Sequence, residues 1–562
     1  MMVVGLLIQI LVMAAIVYAI VAAVRRRSDS LTVRSGELSL RRLFVYAMLL
    51  ASLIVAGIGL SGVLGAALST AAARRELDLA GPLAMMVVGL PVFGALAVWV
   101  RRTHASDPSE RSTAAWTLYL NGALLVTLGA AIGSAFAVAG SVIDGEWSAA
   151  AAASLVIWGA AWAGHWYSWD RLRPTLLPRM HLWIGSAAGL WIGAGALFFV
   201  IHELVQRAID PEVAAAGSTW ANNLQLALCG VAIGGAVWTW LWLVHGVRAP
   251  RTGGWHGYVL LPGVLAGLAA VVTGAGLGLY LVLEWLLGDP GAATAADHFR
   301  DVSFAVAAMV VGLGSWRYHR AVVGPSATRV RTEVDRIYDY LVSGVALVTV
   351  AVAVSILVVA FFEVIAPPAV EGGGAGTNTL LAAATLLLVG VPMWAVSWRR
   401  VQRLAAENEH ERQSVTRRTY LYAIFGVGGA VAFVAMIGLL VVVFEALLDE
   451  GVGNALVREL DVPAALLVTT GAAALYHWLV YRAERHVVAR SPRRDVLLVG
   501  DGVDTDQIAQ RSHVRVRVLH RMDVPAGPAL DVDAIVAAID HAAGDHLLVL
   551  AGPDDVRVVP YE

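Results

Sequence analysis

The residues best placed to do chemistry are four glutamates near the ends of long apolar segments. A carboxylate at membrane depth costs about 2.5–3.5 kcal/mol on insertion scales, so such a residue is a functional candidate by default. Four carboxylates at similar depth could form an outer vestibule for cations, as carboxylate rings do in channels. Alternatively, each is solvated at the interface and only marks the end of its segment. The four are Glu203, Glu284, Glu363 and Glu445.

Four histidines near the opposite ends of such segments form a second set: His165, His245, His319 and His477. Two facing histidines could ligate a b-type haem. Alternatively, each ring is a polar group placed favourably at a helix C-terminus. The sequence has no cytochrome pattern, and its single cysteine, Cys229, excludes a cysteine-based metal site. His202 beside Glu203 supplies only two ligands. The sequence therefore predicts no metal and no cofactor.

The composition excludes most soluble functions. Residues are 58% hydrophobic and only 15% charged, whereas soluble domains have about 25% charged residues. All 40 basic side chains are arginines, which removes Walker and Schiff-base lysines, and no G-x-S-x-G or H-E-x-x-H motif occurs. The net charge of −2 gives no indication of nucleic-acid binding. We expect a non-enzymatic protein whose main partner is the lipid bilayer.

Apolar runs long enough to cross a bilayer define the architecture, since roughly 17–25 residues are needed. They predict an all-α polytopic membrane protein with thirteen transmembrane helices. The spans are 2–24, 43–68, 80–100, 115–141, 148–168, 182–206, 222–246, 256–287, 302–316, 338–365, 378–398, 420–447 and 462–481.

The arginines predict the orientation of these spans. All but five of them fall in alternate loops and in the C-terminal tail; the exceptions are Arg74, Arg75, Arg207, Arg300 and Arg458. The positive-inside rule assigns the arginine-rich side to the cytoplasm. The expected location is therefore a bacterial plasma membrane, with the N-terminus outside and the C-terminus cytoplasmic.

After the first span, the other twelve form six tandem helical hairpins. The outgoing helix begins with an arginine and spaced aromatics, as in Arg42-Leu-Phe44-Val-Tyr46, and the second aromatic recurs at Tyr340 and Tyr422. The predicted domains are an N-terminal anchor with linker (1–42), six hairpins (43–114, 115–178, 179–250, 251–330, 331–412 and 413–490) and a cytoplasmic α/β domain (491–562).

The returning helices share a second motif of glycine, proline and tryptophan. Glycine lets a neighbouring helix approach closely, and proline bends the helix. The aromatics fit a membrane-interface belt, with a functional aromatic pocket as the alternative. The residues that carry this packing motif are Gly89, Pro91, Gly312, Trp316, Gly390, Pro392, Trp394 and Trp398.

These Arg-x-Tyr-x-Tyr starts and G-x-P-x-W returns resemble an uncharacterised bacterial multi-pass membrane family, the DUF5671-like domain of unknown function. Residues 338–482 fit it best and hairpins 1 and 4 fairly well, whereas hairpins 2 and 3 depart most. The resemblance implies a helical-hairpin membrane protein and brings no catalytic residues.

The tail has strand and helix patterns typical of a small α/β domain. Strands are predicted at 494–500, 514–519, 546–551 and 556–559, and a helix at 533–543 capped by Asp531 or Asp533. The turn Gly500-Asp501-Gly502 lacks the third glycine of a dinucleotide fingerprint, and a solvated turn is favoured. This domain is a candidate docking surface for a membrane or cytoplasmic protein.

Three functions remain open from the sequence. The first is a scaffold or sensory and regulatory module that relays to the tail. The second is a channel or transporter with a pathway between the hairpins, and the third is a haem- or quinone-binding subunit. The loop 399–418 alternates in charge through Glu411, which predicts a solvated extension of the helix.

Overall fold

The structure is a computed structural model that describes residues 36–70, 79–172, 179–209, 219–292, 294–324, 331–366, 376–448, 453–488, 494–499, 505–512, 514–519, 531–542, 544, 546–551 and 556–561. The predicted first span, 2–24, and the turn Gly500–Gly502 lie outside these residues. The chain divides into two compact units, Met1–Val330 and Arg331–Glu562, which are described separately.

Unit 1 consists of long helices that pack in consecutive pairs. A helix satisfies its backbone hydrogen bonds within one segment, which suits long apolar runs. The helices are α1 (Gly36–Leu68), α2 (Ala80–Ser106), α3 (Ala114–Ile143), α4 (Ala149–Leu172), α5 (Met180–Ile209), α6 (Thr219–Trp238), α7 (Gly253–Tyr258), α8 (Ala266–Leu287), α9 (Ala295–His298) and α10 (Val302–Val323). We call α1/α2 pair 1, α3/α4 pair 2, α5/α6 pair 3 and α8/α10 pair 4.

Two π-helical stretches modify this pattern. One extends α6 over Thr239–Gly246, and the other joins α7 to α8 over Val259–Leu265. The second contains Pro262, which has no N–H to donate and cannot sit in an unperturbed α-helix. A 3₁₀ turn, Pro108–Ser112, follows α2.

The helices of pair 1 run antiparallel and touch through glycine. A Cβ added at Gly89 would lie 2.7 Å from the Ala56 backbone nitrogen, and one added at Gly59 would lie 2.4 Å from the Met86 nitrogen. Only a hydrogen fits at such points, so glycine allows the two backbones to meet. Because the hydrophobic effect does not drive helices together in lipid, this close packing is what holds the pair.

Unit 2 contains two more helix pairs and the C-terminal sheet. The helices are α11 (Glu333–Ile365), α12 (Thr377–Glu407), α13 (Glu409–Gln413), α14 (Val415–Leu448), α15 (Asn454–Glu459) and α16 (Asp461–Val488). We call α11/α12 pair 5 and α14/α16 pair 6. Thr332 and Asp335 form a capping box at the start of α11. Ser355 of α11 donates to Thr469 of α16 at 3.1 Å, which connects the two pairs.

The C-terminal residues form the predicted α/β domain. Its strands are β1 (Asp495–Val499), β2 (Arg515–Leu519), β3 (His546–Ala551) and β4 (Val556–Pro560), and its helices are α17 (Thr505–Arg511) and α18 (Val532–His541). The sheet order is β2-β1-β3-β4, with β4 antiparallel to β3 and the other pairings parallel. Asp531 caps α18, and Ile508, Ile535 and Ile539 pack under the sheet. Helix α17 was not predicted.

Eleven helices of the described chain are long and apolar enough to cross a membrane, so the protein is a helical membrane protein by length and composition. The count of thirteen is not confirmed. One predicted span lies outside the described residues. The span at 148–168 forms α4 but is not among the eleven, because four tryptophans and His165 make it less apolar than its neighbours.

Candidate functional site

Three of the helix pairs are closed by an arginine–glutamate ion pair, which we call a clasp. In each clasp the arginine lies near the start of the first helix, and the glutamate follows the apolar part of the second. The three are Arg42–Glu110 in pair 1, Arg336–Glu411 in pair 5 and Arg417–Glu484 in pair 6. In pairs 1 and 6 the partners are 68 and 67 residues apart in sequence. The recurrence makes the arginine-bearing helix ends the best-defined polar feature of the molecule.

The clasp of pair 6 has the most buried arginine of the three. The Arg417 side chain is fully buried and donates to both carboxylate oxygens of Glu484, at 2.8 and 2.5 Å. It also donates to the Tyr340 hydroxyl at 3.0 Å and to the Gln402 side-chain oxygen at 2.7 Å. These partners lie on α11, α12 and α16, so one guanidinium ties together all four long helices of unit 2. The bidentate geometry suits a charge that has lost its water.

His477 lies beside this network with one ring nitrogen unpaired. It is completely buried, and its Nδ1–H donates to the Ala473 carbonyl at 2.7 Å, so Nε2 carries a lone pair. Within the described chain Nε2 has no hydrogen-bond partner, and neither does the Tyr420 hydroxyl. The rings of Trp398 and Tyr420 lie 5.2 and 5.7 Å from the imidazole. The enclosure is therefore aromatic, with unused hydrogen-bonding capacity.

In unit 1, two of the other haem candidates, His165 and His319, are hydrogen-bonded to tyrosines. The Tyr119 hydroxyl lies 2.9 Å from Nε2 of His165, and the Tyr258 hydroxyl lies 3.2 Å from Nε2 of His319. Both histidines use Nδ1–H to bond a carbonyl one turn earlier, at 2.7 and 2.8 Å. Since both ring nitrogens are engaged, neither histidine offers a free ligand to a haem iron in this arrangement. Tyr46 and His104 repeat the contact at 3.1 Å in pair 1.

His245, the remaining haem candidate, lies in an aromatic cluster. Its Nδ1–H donates to the Trp240 carbonyl at 2.8 Å, a five-residue step that the π-helix makes possible. The Trp166 ring lies 4.8 Å away, in edge contact. Trp166 also contacts His181, whose backbone N–H and Nδ1–H both donate to the Asn121 side-chain oxygen, at 2.9 and 2.8 Å. These bonds join pair 2 to pair 3.

The four vestibule glutamates are not gathered by any contact that the structure describes. Glu203 and Glu284 belong to unit 1, and Glu284 accepts a hydrogen bond from Tyr280 at 2.7 Å. In unit 2, Glu363 is half-buried and Glu445 is exposed. Among the described residues, no group of three or more His, Cys, Asp or Glu side chains could hold a metal ion.

The packing-motif residues fall into two kinds of environment. Gly89, Gly312 and Gly390 are buried and face the other helix of their own pair, and Pro91 and Pro392 lie inside helices. Trp316, Trp394 and Trp398 are partly or fully buried, and Trp398 donates to Tyr476 at 2.7 Å. The two tyrosines that the sequence made equivalent differ, since Tyr340 is buried and Tyr422 is about half exposed.

Sequence reasoning missed the acidic half of every clasp, and in pair 6 it also missed the basic half, because the repeat indicated Arg418 and the structure uses Arg417. Glu411, expected in a solvated loop, is 6% exposed and pairs with both Arg331 and Arg336; that expectation was wrong. The α12–α13 turn folds back toward the start of α11 and buries the carboxylate there. Glu110 and Glu484 were likewise not singled out. The available indication was the recurrence of an acid nearly seventy residues beyond the first-helix arginine in pairs 1 and 6.

Comparison with protein-family models gives a match over two regions of the chain. Two regions, residues 42–150 and 336–499, match the family model of DUF5671, a domain of unknown function. The resemblance expected from the motifs is confirmed for pairs 1, 5 and 6, in which the three clasps lie. The first region also includes α3 of pair 2, which was expected to depart from the family. Pair 4, also expected to fit, lies outside both regions. No curated protein and no solved structure matches the chain.

Proposed function

We propose that the protein is a non-enzymatic regulatory or sensory membrane module that relays the packing of pairs 5 and 6 to the C-terminal α/β domain. One observation carries the proposal. Helix α16 bears Glu484, the counter-ion of buried Arg417, and ends at Val488, shortly before β1 begins at Asp495. The end of α16, the last described helix before the domain, therefore carries one partner of the central ion pair of the bundle.

The energetics of that ion pair suit a switch. Removing one partner of a buried ion pair costs about 3–5 kcal/mol, because the other charge is left uncompensated. The clasp is thus either formed or replaced by a different packing, because an arrangement that leaves one buried charge without its partner is high in free energy. A signal that changes how α11, α12 and α14 surround Arg417 would change the position of Glu484 and with it the conformation at the end of α16.

The proposed setting is a bacterial plasma membrane, with the arginine-bearing helix ends and the α/β domain in the cytoplasm. The support is the distribution of the arginines, which favours one side of the membrane by the positive-inside rule. The recurrence of the clasp in three pairs supports tandem duplication of a helical hairpin. Residues 491–562 are the proposed docking site for a protein partner.

The relay is tested by hydrogen exchange of the full-length protein in lipid nanodiscs. We expect Glu484→Gln to speed amide exchange at the end of α16 and also to change exchange in β1 and β3. Glu407→Gln is the matched control, because Glu407 is an exposed acid near the end of α12. It should leave both regions unchanged.

Unchanged exchange in the sheet, with faster exchange confined to the bundle, would contradict the relay. Cation flux in liposomes that is abolished by Glu363→Gln would instead support the channel alternative. The two readouts separate the classes because only the first involves the α/β domain.

A further inference from the structure

The clasp of pair 1 borders an open cavity. The cavity has a volume of about 150 Å³ and lies between the start of α1 and the end of α2. One water needs roughly 10–15 Å³ by this measure, so a group the size of a phosphate fits. Its polar lining includes Arg41, Arg42, Thr103 and Glu110.

The charge balance of this cavity favours an anion. Arg42 directs Nε and Nη2 to a single oxygen of Glu110, at 2.9 and 2.5 Å, so one arginine is neutralised. Arg41 is exposed and forms no ion pair with any residue whose side chain the structure describes. The lining therefore keeps one positive charge in excess. A guanidinium binds phosphate oxygens through parallel hydrogen bonds, which makes arginine well suited to that group.

Pair 5 has the same kind of clasp, but with equal numbers of positive and negative side chains around it. There, Arg336 contacts both Glu333 and Glu411, and Asp339 pairs with Arg331 and lies 3.7 Å from Arg400. Three arginines thus meet three carboxylates. In pair 1, Asp107 also interacts electrostatically with Arg42, but Glu110 is the one acid among the residues that line the cavity, so the lining keeps its surplus positive charge.

The apolar residues of the cavity lining indicate which kind of molecule carries the anion. Val45 and Trp99 border the cavity, and each belongs to a helix apolar enough to cross a membrane. Tryptophan next to the end of such a helix favours the headgroup level of a bilayer. A ligand here meets apolar side chains and a cationic group together, as a phospholipid does at the interface.

We propose that this cavity binds the phosphate of an anionic phospholipid, with Arg41 and Arg42 as its ligands. The site is independent of the relay, because it lies in unit 1 and involves neither α16 nor the α/β domain.

Native mass spectrometry of the full-length protein in mild detergent tests the site, with phosphatidylglycerol and phosphatidylcholine as probes. We expect phosphatidylglycerol to bind more tightly. Arg41→Gln should weaken its binding about tenfold or more, as loss of a charged hydrogen bond implies. Arg101→Gln is the matched control: Arg101 is an exposed arginine on α2 that does not line the cavity, and its loss should leave binding within about twofold.

A second variant separates the cavity from surface charge. Thr103→Leu keeps every charge and fills part of the space, and it should weaken phosphatidylglycerol binding as Arg41→Gln does. Equal weakening by Arg41→Gln and Arg101→Gln, or none by either cavity variant, would overturn the proposal. Displacement of the lipid by millimolar inorganic phosphate would assign the site to a free anion instead.

Discussion

The clasps of pair 1 and pair 6 use the same two residue types in different surroundings. In pair 1 the side chains of Arg42 and Glu110 are 27% and 13% exposed, and a cavity adjoins them. In pair 6 the Arg417 side chain is completely buried, and its hydrogen bonds reach three other helices. Burial decides how much the ion pair contributes to stability, because a buried charge cannot be hydrated when its partner is removed.

The largest effect is expected from removing the carboxylate of the buried clasp. Glu484→Ala leaves Arg417 buried without a counter-charge and should lower the free energy of unfolding by about 3–5 kcal/mol. Reversible denaturation in mixed micelles measures this change. The double variant Arg417→Met with Glu484→Met should recover much of the loss. A decrease below about 1 kcal/mol for Glu484→Ala would contradict the assigned burial.

A smaller effect separates His319 of unit 1, whose Nε2 is hydrogen-bonded, from His477 of unit 2, whose Nε2 has no partner within the described chain. Tyr258→Phe removes the hydroxyl that bonds both Nε2 of buried His319 and Nε1–H of Trp238, and it should cost about 1–3 kcal/mol. Tyr420→Phe, the matched change beside His477, removes a hydroxyl that has no partner within the described chain and should be nearly neutral. Thermal unfolding of both variants under identical conditions makes the comparison. Equal losses would mean that Tyr420 has a partner after all.

The smallest effect is expected at the open clasp. Glu110→Gln frees Arg42 beside a cavity that water can enter, so the loss of stability should be about 1 kcal/mol or less. The same variant raises the positive charge of the cavity and should tighten phosphatidylglycerol binding. Stability and lipid affinity, measured on one preparation, should therefore move in opposite directions. A loss as large as that of Glu484→Ala would remove the contrast between the two clasps.

Much of the architecture could be predicted from local pattern. Long apolar runs between arginine-rich loops give helices because a lipid-exposed backbone must bond to itself. Short apolar runs and one alternating stretch in the tail likewise predicted its four strands. The exact number of spans was harder to predict, since tryptophan-rich α4 falls between an apolar and an interfacial composition.

The candidate site was predicted only in part. Arg42 and Arg336 were identified by their place in the repeat, whereas Arg417 was not, because the repeat assigned that place to Arg418. The acidic partners Glu110, Glu411 and Glu484 were not identified either. Their roles depend on which chain segments meet after a helix has crossed and returned. Tyr422 illustrates the limit, because its place in the repeat matches Tyr340 but its side chain is exposed to about 47%.

By itself, the sequence determined that most of the protein is apolar enough for lipid, that it is helical, which family it resembles and that it has a small α/β domain. These features follow from hydropathy and periodicity, which act over short stretches of chain. Only the tertiary structure decided which charges are buried and which ring nitrogens are already engaged. Ion pairs and hydrogen bonds between helices join residues some seventy positions apart, and their strength depends on how much water the neighbouring helices exclude. That is why two clasps of identical chemistry support different proposals, a relay in pair 6 and a lipid site in pair 1.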